Sequence, residues 1–455
     1  MIRSAIRAAA AVDLHASVPI RVGSMALGFI TNLLIARALL DSGGPGAYAT
    51  ATILISILAS LPFADLGLGA GVVNATADWS VGRASLVTFR RSIIRTLVVL
   101  LASALAIATV SVLLLVTEAW GNLFGGFVQA SDQQIVATVV GIGLGVSVPL
   151  GVGMRVLQGL QLVRVTLLCA LAGAVCQLIT VVVLAATSSS SLWYPLTALL
   201  NLLLANLLCS LFAIRSVRRV ARDLLGTSGT HGETVWSHYG FLTAALPNLI
   251  TLLGVAVSLQ YDRVILAHVS NVGSVAEYSF LAQFVTPITS VVTMASLNLW
   301  GQYRRNAQTS LALFKRDVLL FLGVGAVAAL AACILALALV RQVTGGAIEL
   351  NPLSLLAAGS FMLAWAASRP ATMFLSSPRG LWVQAICMVI SAPVNISLTI
   401  ALGGIVGAAG AYLASGFCVL IFTALLPSAY VLMHGTRRPD DSAISQAEAG
   451  QAARA

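Results

Sequence analysis

The sequence predicts an all-α polytopic membrane protein, with about twelve transmembrane helices in two repeat-related six-helix bundles around a central cavity. Three observations carry this reading. Of 455 residues, 59% are hydrophobic and only 9% are charged, against about 25% charged in soluble domains. Apolar runs recur along the whole chain, each near the roughly 20 residues needed to cross about 30 Å of hydrocarbon. The arginines collect in alternate loops, the pattern that fixes orientation in a bilayer. Such a chain is neither a disordered segment nor an ordinary soluble enzyme.

The elements follow in order. Residues 1–18, with Arg3, Arg7 and Asp13, read as an N-terminal cytoplasmic or interfacial segment. Apolar runs at 19–40, 47–73, 93–117, 135–157, 163–187 and 192–214 supply spans one to six, an N-terminal bundle over 19–214. The first run lacks a small-residue cleavage site, so it is a retained helix rather than a signal peptide. Residues 215–238 are polar around Thr227-Ser-Gly-Thr-His-Gly-Glu and read as a cytoplasmic linker. Runs at 239–266, 275–300, 318–340, 352–375, 381–402 and 407–432 supply spans seven to twelve, a C-terminal bundle over 239–432. The polar, alanine-rich residues 433–455 are expected to form a disordered cytoplasmic tail.

The net charge of +10 comes from 25 basic and 15 acidic residues. Sorted by loop, 22 of the 25 basic residues share one side with both termini, and only Arg37, Arg263 and Arg341 lie towards the other. That asymmetry puts both ends in the cytoplasm. The charge therefore reports orientation, and nucleic acid is not expected as a partner. Cys169, Cys176, Cys209, Cys333, Cys387 and Cys418 all sit in apolar runs without a C-x-x-C pair, so no disulfide, metal site or cofactor is implied.

The two halves are related. At an offset of 230, Gly43 meets Gly273, Tyr48 meets Tyr278 and Asn32 meets Asp262, at the same span junction in each half. Six spans per half give both the same orientation, a parallel repeat about an axis along the membrane normal. Two such halves enclose a cavity that opens alternately to either side.

Four segments, in order, carry a family resemblance. They are Leu34-Ile-Ala-Arg-Ala-Leu with Gly46-Ala-Tyr48, and Asp65-Leu-Gly-Leu-Gly-Ala-Gly-Val-Val-Asn74. Tyr261-Asp-Arg-Val-Ile-Leu with Ala276-Glu-Tyr278, and Asn395-Ile-Ser-Leu with Gly407-Ala-Ala-Gly410, complete the set. They resemble the polysaccharide, or O-antigen, flippases of the multidrug/oligosaccharidyl-lipid/polysaccharide exporter superfamily. The resemblance implies a transporter of the bacterial inner membrane. Its cargo would be an undecaprenyl-pyrophosphate-linked oligosaccharide, moved from the cytoplasmic to the outer leaflet by alternating access. Its partners would be this lipid-linked oligosaccharide, membrane lipids, H+ or Na+, and the polymerase and glycosyltransferases of the same pathway. The multidrug-extruding branch also has twelve spans and is the rival reading.

Ionisable groups at membrane depth are costly, so each is a functional candidate. Arg37 and Arg263 lie at similar depth in spans one and seven. Each either serves a structural role at the outer face or lines a cationic cavity for a pyrophosphate, which guanidinium groups bind bidentately. Arg369, before Pro370 in span ten, is either a third such group or an interface anchor. Asp262 is the strongest carboxylate for ion coupling or for pairing with an arginine. Asp65 and Glu277 are further candidates, the first beside glycines that break span two and the second at the start of span eight.

The Gly67-x-Gly69-x-Gly71 run follows an apolar helix without a downstream Lys-Ser/Thr pair, so it is not a nucleotide loop. Glycines 141, 143, 145, 151 and 153 in span four mark close helix packing. No catalytic triad, paired acids or metal spacing can be assembled. The external loops are short and poor in acids and histidines, which argues against an enzyme such as a membrane polysaccharide polymerase or ligase.

Overall fold

The computed structural model describes residues 2–58, 68–80, 85–187, 189–225, 246–247, 249–251, 253–255, 261–305 and 310–434. Within them all regular structure is helical, and nine helices are long and apolar enough to cross a membrane. The protein is a polytopic membrane protein. Exposed Val98, Leu105, Leu319, Val327 and Leu356 are typical of the lipid-facing surface, as expected where hydrocarbon is the solvent.

Spans one and two form one helical run, Ile2–Leu58, broken at Gly44 with φ 66° and ψ −165°. Only glycine adopts that backbone readily, and Pro45 starts the next helix with its φ already set. The rest of span two resumes at Gly69–Ser80. Spans three to six are Leu86–Val116, Ser131–Gly159, Val163–Ala186 and Tyr194–Leu225. Span six runs past its apolar stretch to Leu225, so residues 215–225 of the expected linker are helical. Arg215, Arg218, Arg219 and Arg222 share one helical face there. Residues 226–238 of that linker, and 435–455 of the expected tail, lie outside the described residues.

Span seven is described chiefly by its end, Asp262–Val269. Spans eight to eleven are Val272–Arg305, Ser310–Thr344, Pro352–Phe374 and Pro378–Val406. Gly407 turns the chain with φ 58°, and a Cβ there would meet Ser274 Oγ at 2.4 Å. Span twelve begins as Ala408–Cys418, widens to a π-helix over Val419–Leu425 and ends as Leu426–His434.

Among the described residues three apolar cores hold the helices together. The largest draws on both halves: Ile35, Tyr48, Leu54, Trp120 and Tyr194 from the first, Leu266, Phe280, Leu355, Ala408 and Tyr412 from the second. All of these sit towards the arginine-poor side. The second core, with Val72, Leu100, Val152 and Cys209, belongs to the first half alone, at its arginine-rich end. The third, with Val292, Tyr303, Phe314 and Leu375, belongs to the second half alone at the same end. The described halves thus share a core on the arginine-poor side and have separate cores on the other.

Candidate functional site

Asp262 opens the last helix of span seven and is 1% exposed. Its Oδ2 accepts from Tyr278 Oη at 3.1 Å and from Ser415 Oγ at 2.7 Å. Thr399 Oγ1 lies 3.4 Å from Oδ1 and 2.8 Å from the side-chain oxygen of Asn395. A hydroxyl has one proton, so Thr399 serves one of these oxygens at a time. Asn395 donates to Ser415 Oγ at 3.1 Å. Spans seven, eight, eleven and twelve therefore converge on one carboxylate. Every group bonded to it is neutral, and among the described residues no arginine or lysine pairs with it. The adjacent Arg263 acts on this carboxylate through its charge without bonding to it, which leaves the carboxyl oxygens open to a proton or a cation. The oxygen-only surroundings suit a hard cation.

Arg263, the next residue, is half-buried and has neither a hydrogen bond nor an ion pair to any described residue. Its charge acts on the neighbouring Asp262 carboxylate and also reaches Tyr48 of the first half and Tyr278 and Tyr412 of the second. Asp262 and Arg263 thus differ: one closes on the second half, the other stands near the junction of the two. Arg37 is exposed, pairs with Asp41 at 2.9 Å and donates to the Gln342 carbonyl. It ties the end of span one to the end of span nine. Glu277 Oε1 accepts from the Asn351 N–H at 2.7 Å, capping the start of span ten, where a negative charge suits the helix dipole. Arg369 is 8% exposed and lies over the Trp365 ring at 4.0 Å. Asp65 lies outside the described residues.

Sequence reading named Asp262 but none of the groups bonded to it. Tyr278 and Asn395 lie within the family-like segments, yet nothing local assigns them this contact. Thr399 and Ser415 carry no signal, because hydroxyls in apolar helices commonly bond their own backbone, as Thr293 does to the Thr289 carbonyl. The repeat is chemically asymmetric. Asn32, matched to Asp262, is exposed. Tyr48, matched to Tyr278, accepts from Gln283 Nε2 at 2.7 Å and so faces the other half.

The halves meet in a row of specific contacts on the arginine-poor side. Thr52 Oγ1 donates to Ser279 Oγ at 3.1 Å. Phe29 and Phe284 meet edge-on at 5.3 Å. His268 Nε2 lies 2.9 Å from the Asn122 carbonyl.

Two halves joined at one face, a carboxylate buried within the second half and an arginine beside it without an ion pair among the described residues define a two-bundle polytopic membrane protein. No protein-family model and no curated protein sequence matches the chain, but its fold recurs among solved structures. A lipid II flippase, MurJ, in an inward closed conformation matches with TM-score 0.64 at 14% identity, over 92% of this chain and 87% of that one. An inward-facing multidrug resistance MATE transporter of the MOP superfamily matches with TM-score 0.62 at 15% identity, over 92% and 98%. A MOP superfamily transporter from Pyrococcus furiosus, described by a binding pocket of reversed polarity, matches with TM-score 0.59 at 16% identity, over 92% and 94%. The chain has the fold of MOP superfamily transporters.

Proposed function

We propose that this protein is a cation-coupled transporter that carries an undecaprenyl-pyrophosphate-linked oligosaccharide from the cytoplasmic to the outer leaflet by alternating access. Asp262 is the coupling site, taking H+ or Na+ with Tyr278, Thr399, Asn395 and Ser415 as its oxygen surroundings. Arg263 contacts the pyrophosphate of the cargo, since a guanidinium stays charged and binds phosphate oxygens through paired N–H groups. The arginine-rich side is cytoplasmic, both termini lie there, and the membrane is the bacterial inner membrane. The two bundles, 19–214 and 239–432, act as the rocking bodies.

The observation that carries this reading is the pairing of opposite roles on adjacent residues. Asp262 is sealed among neutral donors, while Arg263 is unpaired near the junction of the halves. The likeness to the MATE fold favours a second reading, a cation-coupled multidrug exporter. That reading predicts acidic groups facing the cargo space, whereas Asp262 is sealed among neutral donors, and Arg263 and Arg369, which have no ion pair among the described residues, are basic. Deleting the gene should stop export of surface polysaccharide and accumulate its lipid-linked precursor. Unchanged export together with lost extrusion of cationic dyes would replace the first reading by the second.

A further inference from the structure

Span ten carries Phe361, Trp365 and Arg369 at intervals of four residues, one above another on the same helical face. The Arg369 guanidinium lies 4.0 Å over the Trp365 ring. Its Nε donates to the Trp365 carbonyl at 3.3 Å and to Ser368 Oγ at 3.1 Å, and one terminal nitrogen donates to Ser368 Oγ at 2.9 Å. Trp365 is fixed in turn. Its indole N–H donates to Thr293 Oγ1 at 3.2 Å, and its ring packs 6.1 Å from that of Phe361. The guanidinium plane is therefore held from below and along one edge.

The other edge has no bonded partner among the described residues. Arg369 is 8% exposed, every acceptor bonded to it is neutral, and no carboxylate pairs with it among the described residues. A guanidinium presents five N–H donors, and the second terminal nitrogen meets no acceptor in the described structure. A buried cation without a counter-charge is costly, and an aromatic face offsets only part of that cost. Position adds a second argument. Phe361 and Trp365 pack on the core that both halves share, whereas Ala366 and Ala371, which flank Arg369, belong to the core confined to the second half at the arginine-rich end. Arg369 thus sits where the shared core ends.

We propose that the free edge of Arg369 is a binding site for a phosphate group on a lipid head, with Trp365 as the positioning residue that holds the guanidinium plane. The planar fork matches phosphate oxygens, and the site is distinct from the Asp262–Arg263 pair in span seven. Two lipids carry this chemistry: a polyprenyl pyrophosphate and an anionic bilayer phospholipid. The first rests on the transport reading above and the second does not.

The test uses the full chain in dodecyl maltoside micelles, which carry no phosphate, and the tryptophan emission lost in Trp365→Phe, which isolates the Trp365 signal. Three probes are titrated: inorganic pyrophosphate, a polyprenyl pyrophosphate and phosphatidylglycerol. A saturable change in the wild type should weaken about tenfold or more in Arg369→Gln. It should be partly retained in Arg369→Lys, which keeps the charge without the fork, and unchanged in Arg341→Gln. Saturation by phosphatidylglycerol identifies a resident phospholipid, and a response to polyprenyl pyrophosphate in its absence identifies a cargo contact. No response to any probe, or equal responses from the wild type and both Arg369 variants, overturns the site. If the site fails while gene deletion still blocks polysaccharide export, the transport reading stands without it.

Discussion

Ser415 donates a 2.7 Å hydrogen bond to Oδ2 of Asp262, joining span twelve to the end of span seven across 153 residues. Both side chains are 1% exposed. The contact lies within the second half, so whatever binds Asp262 acts first on how spans seven, eight, eleven and twelve sit together. Tyr278 extends that group. Its ring stacks on Tyr412 at 4.5 Å, and the Tyr412 hydroxyl donates to the Tyr278 carbonyl at 3.2 Å.

Replacing Asp262 with Asn keeps the size and removes the charge. Asp262→Asn is expected to enter the membrane normally and lose cation-dependent transport. Ser415→Ala removes one hydrogen bond to a charged group, worth about 1.5–3 kcal/mol, and should weaken cation affinity about tenfold or more. Isothermal titration with Na+ and transport at varied Na+ and pH read both effects. Wild-type cation dependence in Asp262→Asn would remove this residue from coupling.

The Thr52–Ser279 hydroxyl contact at 3.1 Å crosses between the halves. Disulfides form between Cβ atoms about 3.5–4.5 Å apart, and the two hydroxyl oxygens here, each one bond from its Cβ, are 3.1 Å apart. The pair Thr52→Cys with Ser279→Cys is expected to cross-link under mild oxidant. The link should arrest transport, and reductant should restore it, because it holds the arginine-poor face shut. Either single cysteine variant should be insensitive to oxidant. Full transport by the cross-linked protein would make this contact a hinge rather than a gate.

The spans were legible in the sequence because hydrocarbon demands long apolar runs, and the break before span two because Gly44-Pro45 offers a positive φ followed by a fixed one. Asp262 was legible because a charge at that depth needs a reason. Its surroundings were not, since Ser415 and Thr399 look like any helix hydroxyl until spans eleven and twelve are placed beside span seven. Arg37 and Arg263 looked equivalent from their matched depths. The structure separates them because Asp41, one turn after Arg37, provides a local partner that has no counterpart bonded to Arg263.

Glycines in span four give a paired test of packing. A Cβ on Gly153 would meet the Ser210 Cα at 2.3 Å, whereas one on Gly151 would meet nothing within 4 Å. Gly153→Ala must push span six away and should cost about 1–3 kcal/mol. Gly151→Ala should be neutral or stabilising by up to about 1 kcal/mol, since alanine is the better helix former. Thermal unfolding of the two purified variants in one detergent reads the difference. Equal midpoints would mean that spans four and six are not this close.

The two arginines at matched depth should behave differently. Arg37 has a side chain 51% exposed, a pair with Asp41 and a bond to the Gln342 carbonyl. An exposed pair of this kind contributes about 0–1 kcal/mol, so Arg37→Ala should retain most export at normal protein levels. Arg263 has no hydrogen bond or ion pair among the described residues, and in the proposed mechanism its charge meets the anionic cargo. Arg263→Ala is expected to lower export about tenfold or more, the scale of a lost hydrogen bond to a charged group. Arg263→Lys, which keeps the charge without the planar fork, should fall between. Precursor export is measured against the amount of each variant in the membrane. Equal losses from Arg37→Ala and Arg263→Ala would return the two residues to one shared cationic surface. No loss from Arg263→Ala would leave the pyrophosphate without its contact in span seven.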